Sequence, residues 1–146
     1  MKWISWLIVI AVLIQFVPFG HSHTNPPVTK EPAWDSSETA SLFHRACYDC
    51  HSNRTTWPWY SNVAPVSWLV QNDVDGGRSH MNFSQWDQLQ RHAKDVAQEV
   101  NQGDMPPWYY LPMHPNARLI DSEKQMLISG AAKSLGPQAP PKQGSH

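Results

Sequence analysis

Cys47-Tyr48-Asp49-Cys50-His51 is the stretch of this 146-residue chain whose residue types and spacing could carry chemistry. Two thiols three positions apart lie near one another on a helical turn, where each can add to a vinyl group and form a thioether. The imidazole that follows directly is a good iron ligand in its neutral form. This is the spacing of covalent c-type haem attachment, with Cys47 and Cys50 as thioether anchors and His51 as the proximal iron ligand. A structural disulfide, a thioredoxin-like redox pair and half of a zinc site compete for the same two thiols. A redox pair is expected at a strand end among alternating strands and helices, whereas the surroundings of Cys47 read as helical. The chain has only two cysteines, which excludes an iron–sulfur cluster or a four-thiolate zinc site within one chain.

Several elements are expected to position that pentapeptide. Asp35 as N-cap, with Glu38 three residues on, opens a helix running toward Cys47. Leu42, Phe43, Ala46, Cys47 and Cys50 recur at helical spacing, so the buried face carries both thiols; His44 reads as a partly exposed helix residue. Pro65 sits in the first turn of a second helix, through Trp68, Leu69 and Val70 to Val74, which Gly76-Gly77 is expected to end. Ser84 with Asp87 predicts a long amphipathic helix to Asn101, with Trp86, Leu89, Ala93, Val96, Ala97 and Val100 on its apolar face. Gly103 closes it. A last helix begins at Asp121, carries Met126, Leu127, Ile128, Ala131 and Leu135, stops at Gly136-Pro137, and is expected to pack across the first.

The opposite side of the iron is less defined. Met105, in Asp104-Met105-Pro106-Pro107, offers a thioether on a proline-stiffened loop and is the candidate distal iron ligand. His80, Met81, Met113 and His114 are chemically capable alternatives, and His92 is expected to be exposed. Trp57, Trp59 and Tyr60 supply rigid aromatic rings for the haem pocket, and Arg78 and Arg54 are candidate partners for the haem propionates. His21 and His23 could bind copper or nickel, although two histidines in a flexible segment are more often solvated.

The N-terminus has a different character. After Met1-Lys2, an apolar run from Trp3 to Phe19 is interrupted only by Ser5 and Gln15. It predicts an N-terminal transmembrane helix, favoured over a removed signal peptide because the exit sequence lacks a small-x-small cleavage site. Residues 1–20 are thus read as membrane anchor or signal segment and 21–34, with Pro26, Pro27 and Pro32, as a flexible tether. Residues 35–135 form one c-type haem-binding domain, and 136–146 a disordered tail. The expected location is a single pass through a bacterial cytoplasmic membrane with the haem domain on the periplasmic side, or cleavage and release to the periplasm. Net charge is −1 and basic residues are scattered, so nucleic acid is excluded as a partner. Eight tryptophans and thirteen prolines point to aromatic packing with rigid loops and away from a bundle of long helices.

Four stretches carry a family resemblance: Cys47-Tyr48-Asp49-Cys50-His51-Ser52-Asn53, Trp57-Pro58-Trp59-Tyr60-Ser61-Asn62, Ala64-Pro65-Val66-Ser67-Trp68-Leu69 and Gly103-Asp104-Met105-Pro106-Pro107. Through them, residues 38–130 resemble the small bacterial c-type haem-binding domain family. The resemblance implies an all-α, cytochrome c-like fold around one covalently bound haem c. The expected function is that of a membrane-tethered monohaem cytochrome exchanging single electrons with unknown redox partner proteins, and not an enzyme. Ligation by His51 and a methionine would favour ferrous iron relative to two nitrogens. Two other classes remain open: a haem-based gas or redox sensor with a vacant sixth position, and a small peroxidase using His80 or His114 as distal acid/base. No serine, cysteine or paired-carboxylate constellation points to hydrolysis.

Overall fold

Ser36, one residue beyond the expected Asp35, caps the first helix of the folded body, its hydroxyl accepting a hydrogen bond from the Thr39 amide at 3.1 Å. In this computed structural model, which describes residues 2–136, the chain forms six α-helices. They are α1 (Lys2–Leu13), α2 (Ser37–Ala46), α3 (Tyr48–His51), α4 (Val66–His80), α5 (Val96–Gln102) and α6 (Asp121–Ser134). Four short 3-10 turns join them, and the β-structure of the described residues is one isolated bridge between Lys30 and Gln85. The expectation of an all-α chain holds.

As expected, α6 begins at Asp121 and packs on α2. Gly130 makes the crossing close: a Cβ there would run into the Thr39 side chain, so only glycine lets the two backbones approach. The Asp35 amide donates to Ser134 Oγ at 2.9 Å, and the ion pairs Lys133–Asp35 (3.5 Å) and Arg45–Glu123 (2.5 Å) tie the helices at their edges. Beneath the crossing lies the core, in which Leu42, Phe43, Tyr48, Phe83, Val96, Val100, Leu127 and Ala131 are buried.

Two helices differ from expectation. α4 runs through Gly76-Gly77 to His80, because Gly77 is not a stop. A Cβ at 77 would press on the Cys50 carbonyl, so this glycine brings α4 against α3. The long helix predicted from Ser84 to Asn101 forms only as a 3-10 turn at Ala93–Asp95 followed by the seven residues of α5. Its supposed capping residues are used elsewhere. Ser84 Oγ accepts from the Asn53 amide at 2.9 Å, Ser84 O accepts from the Thr29 amide at 2.9 Å, and the Asp87 carboxylate accepts from Thr29 Oγ. Tertiary partners thus outbid the local capping signal. Gly103, with φ +84°, ends α5 as expected.

The expected transmembrane helix is overturned. α1 has 12 residues, about 18 Å at 1.5 Å per residue, against a hydrocarbon core of about 30 Å. Among the described residues no helix is long and apolar enough to cross a membrane. The apolar run continues beyond Leu13, but the chain tightens into a 3-10 turn at Ile14–Phe16 and leaves helical geometry before Pro18. Within that turn, Gln15 donates to Ala64 O (3.0 Å) and accepts from the Ala64 amide (2.9 Å), fixing the end of the apolar run to the helical body. The single-pass membrane location read from that run falls with it.

Part of the segment read as a tether also lies along the body. Asn25 donates to Thr55 O, Pro27 O accepts from Asn53 Nδ2, and Lys30 bridges Gln85. The tail assigned to 136–146 lies, beyond Gly136, outside the described residues.

Candidate functional site

The sequence places both thiols and the imidazole on consecutive turns, and the fold gives them a cavity. Cys47 ends α2 and Cys50 and His51 belong to the single turn of α3, so two connected helices present all three side chains to one space of about 480 Å³. Its apolar lining includes Phe43, Phe83, Val96 and Val100. Both cysteines are free, and burial pushes each thiol up to about 12, with Cys50 adding to Cys47 and Asp73 and Asp49 adding to Cys50. That shift keeps them in the protonated form at neutral pH.

His51 is held at two points. Its Nδ1 donates to Met81 O at 3.1 Å, and its own carbonyl accepts from the Phe83 amide at 2.8 Å. A carbonyl accepts only, so the proton of the neutral ring sits on Nδ1 and Nε2 is left as the lone-pair donor. Burial holds this imidazole below its ordinary value of 6.5, the bond to Met81 opposing that shift, so the neutral form persists near pH 7. Behind it, Phe83 is completely buried, stacked on Tyr48 at 5.3 Å and set edge-on to Phe43 at 5.3 Å and to His51 at 6.4 Å.

The pentapeptide's own Asp49 secures the same wall. Its carboxylate accepts from the Thr56 amide at 3.0 Å and from Tyr110 Oη at 2.8 Å. Burial, and then the Asp49 charge, raises the Tyr110 phenol well above its usual range, so it remains a donor. Tyr110 stacks on His114 at 3.7 Å, and Tyr60 Oη lies 3.2 Å from the same imidazole. Tyr60, Tyr110 and His114 line a second cavity of about 40 Å³ next to Cys50.

Of the candidate distal ligands, Met105 lines the main cavity and is 37% exposed. His80 and Met81 also line it, whereas Met113 does not and His114 faces the smaller space. His92, expected at the surface, is exposed and yet lines the main cavity. The expected aromatic wall is mostly elsewhere. Trp57 stacks on His23 at 4.6 Å and donates to Asn25, and Trp59 is 75% exposed. Arg78 does not line the cavity, because its guanidinium is spent on Ser52 O, Thr24 O, Asn25 Oδ1 and Thr55 Oγ, fastening residues 24–25 to the loop after α3. Arg54 pairs with Glu31 at 3.4 Å.

Sequence reasoning missed Phe83, Gly77, Tyr109, Tyr110 and Asp73. Only the two glycines carried a signal, and it also fitted a helix stop. Asp73 lines both cavities; burial holds its carboxyl above the usual range while Tyr109 Oη donates to it at 3.4 Å.

Among the described residues there is no group of three or more His, Cys, Asp or Glu side chains that could hold a bare metal ion. A buried, neutral imidazole with its Nε2 unengaged, His51, suits iron that brings four nitrogens of its own, and two thiols beside it suit the vinyl edge of a porphyrin. The residues present therefore fit haem. Comparison with curated proteins and with solved structures gave no match. A family model described as the haem-binding domain matches residues 9–133, which include every wall of the cavity. On that match the chain belongs to the haem-binding domain family, and haem is its ligand.

Proposed function

We propose that the chain is a monohaem c-type cytochrome that exchanges single electrons and catalyses no bond-making reaction of its own. The observation that carries the reading is the convergence of Cys47, Cys50 and a His51 with its Nδ1 already committed on one wall of an apolar cavity. Cys47 and Cys50 would hold haem c as thioethers, His51 Nε2 would bind the iron, and Met105, in the lining of the same cavity, would supply a second ligand. A bound haem supplies a one-electron iron couple. The protein's part is orientation and exclusion. Met81 O fixes the tautomer and plane of His51, and Gly77 holds α4 against the anchor turn. Phe43, Phe83, Val96 and Val100 line the cavity and would keep water from a bound haem, an environment that favours the less charged ferrous state.

The test is a pyridine haemochrome spectrum combined with potentiometry on protein made in a host competent for haem attachment. The reading expects a two-thioether spectrum that survives acid–acetone extraction, a one-electron Nernst slope, and the long-wavelength sulfur-to-iron band of the oxidised form. Rapid carbon monoxide binding by the reduced protein would instead indicate a vacant sixth position and a sensor.

A further inference from the structure

The loop that carries Met105 leaves α5 at Gly103 with little regular structure of its own. No residue from Asp104 to Tyr110 is helical, Pro106 and Pro107 have no amide proton to donate, and Trp108 is exposed. The Asp104 and Met105 amides share Glu99 O at 3.0 and 3.3 Å, and the Tyr110 amide donates to Pro107 O at 3.0 Å. These bonds tie the loop to α5 and to itself. They do not tie it to the turn that bears Cys50 and His51.

Two consecutive tyrosines do. Tyr110 Oη donates to Asp49 Oδ2 at 2.8 Å on α3, and Tyr109 Oη to Asp73 Oδ1 at 3.4 Å on α4. The two ties are unequal. Asp49 is itself held, its other carboxylate oxygen accepting from the Thr56 amide at 3.0 Å and its carbonyl from Thr55 Oγ at 2.7 Å. Tyr110 is half-buried, its ring stacks on His114 with the planes 9° apart, and its carbonyl accepts from His114 Nδ1 at 3.1 Å. The stack therefore fixes where the Tyr110 hydroxyl points, and a carboxylate is a stronger acceptor than a neutral oxygen. Tyr109 is exposed and its bond is long, so it adds less.

Asp49 is the second of the two residues between the cysteines. The Cys-x-x-Cys-His pattern leaves both of those positions open, so thioether formation does not account for an acid there. We propose, on the haem reading of the cavity with Met105 as second ligand, that Asp49 is a positioning residue for the Met105 loop and acts through the Tyr110 hydroxyl. The turn that anchors haem thereby also sets where the second ligand stands. Asp73 and Tyr109 add a weaker tie of the same kind from α4.

The test is the rate at which the reduced, haem-loaded full chain binds carbon monoxide, read together with the sulfur-to-iron band of the oxidised form. Wild type is expected to bind slowly, limited by departure of Met105. Tyr110→Phe keeps the ring stack and removes only the hydroxyl; it is expected to speed binding by about tenfold, the scale of one hydrogen bond to a charged group, and to weaken the band. Asp49→Asn, which keeps an oxygen acceptor, is expected to fall between wild type and Tyr110→Phe. Tyr109→Phe should speed binding by less than about threefold, in keeping with its longer bond. Gly130→Ala, which crowds Thr39 and lowers stability away from the loop, should keep the wild-type rate. Wild-type kinetics in Tyr110→Phe, or a Gly130→Ala protein as fast as Tyr110→Phe, overturns the proposal. Rapid binding by wild type itself would overturn Met105 as a ligand, and the positioning role with it; the two failures differ because the former leaves wild type slow.

Discussion

The two walls of the cavity are built by opposite means. On one side, Cys47, Cys50 and His51 sit on helices fixed by Gly77 against the Cys50 backbone, by Met81 and Phe83 on either end of His51, and by a buried aromatic stack. On the other, Met105 stands on a loop that leaves α5 at Gly103, tied through its amide to Glu99 O at 3.3 Å and open to solvent along Trp108 and Tyr109. Under the proposed function the fixed wall would hold the haem, and the open wall would set what the iron can meet.

This contrast is broken most severely from the fixed side. Cys47→Ser together with Cys50→Ser is expected to abolish haem retained after acid–acetone extraction, and each single variant to leave a haemochrome spectrum of one thioether. Next in size is Phe83→Ala, expected to destabilise the fold by about 3–5 kcal/mol in chemical denaturation, since it empties the centre of the aromatic stack. Gly130→Val should cost about 1–3 kcal/mol or more by forcing α6 off Thr39, with the haem absorption spectrum unchanged in the folded fraction.

The open wall should respond in the opposite sense. Met105→Ala is expected to change stability by less than about 1 kcal/mol, because the side chain is partly exposed, while it removes the sulfur-to-iron band and admits carbon monoxide. A variant that lost the fold and kept the band would reverse the assignment of the two walls. The smallest effect concerns pH. Burial lowers the folded pKa of His51 below 6.5, so the unfolded chain binds the proton first as pH falls. In the haem-free protein the stability from this group is therefore present above about pH 6.5 and is lost on acidification through the window below it. His51→Gln should flatten that part of a stability–pH profile.

The fixed wall was largely legible in the sequence and the open wall was not, for physical reasons. Cys-x-x-Cys-His, the apolar spacing from Leu42 to Cys50 and the start of α6 at Asp121 are local patterns, and the fold keeps them. Ser84 and Asp87 are also a local pattern, but their oxygens are claimed by Asn53 and Thr29, residues far away in the chain. Gly76-Gly77 was ambiguous for a similar reason. A glycine that ends a helix and one that admits a neighbour look alike until Cys50 is seen opposite Gly77. Trp57 and Arg78 were placed at the haem by chemical aptitude alone, whereas their partners are His23, Asn25 and Thr24 in the segment read as a tether. The apolar run at the N-terminus was read as one helix because hydropathy does not register the grip of Gln15 on Ala64.

The double attachment of His51 to residues 81 and 83 also sets a rule for loop length. Because its ring and its carbonyl engage Met81 O and Phe83 N, alternate members of a three-residue segment, one inserted or deleted residue there would put both bonds out of step. The exposed residues Asp87, Gln88 and Leu89 carry no such constraint on the His51 side chain. Length variation in this loop should therefore be accepted at 87–89 and rejected at 81–83.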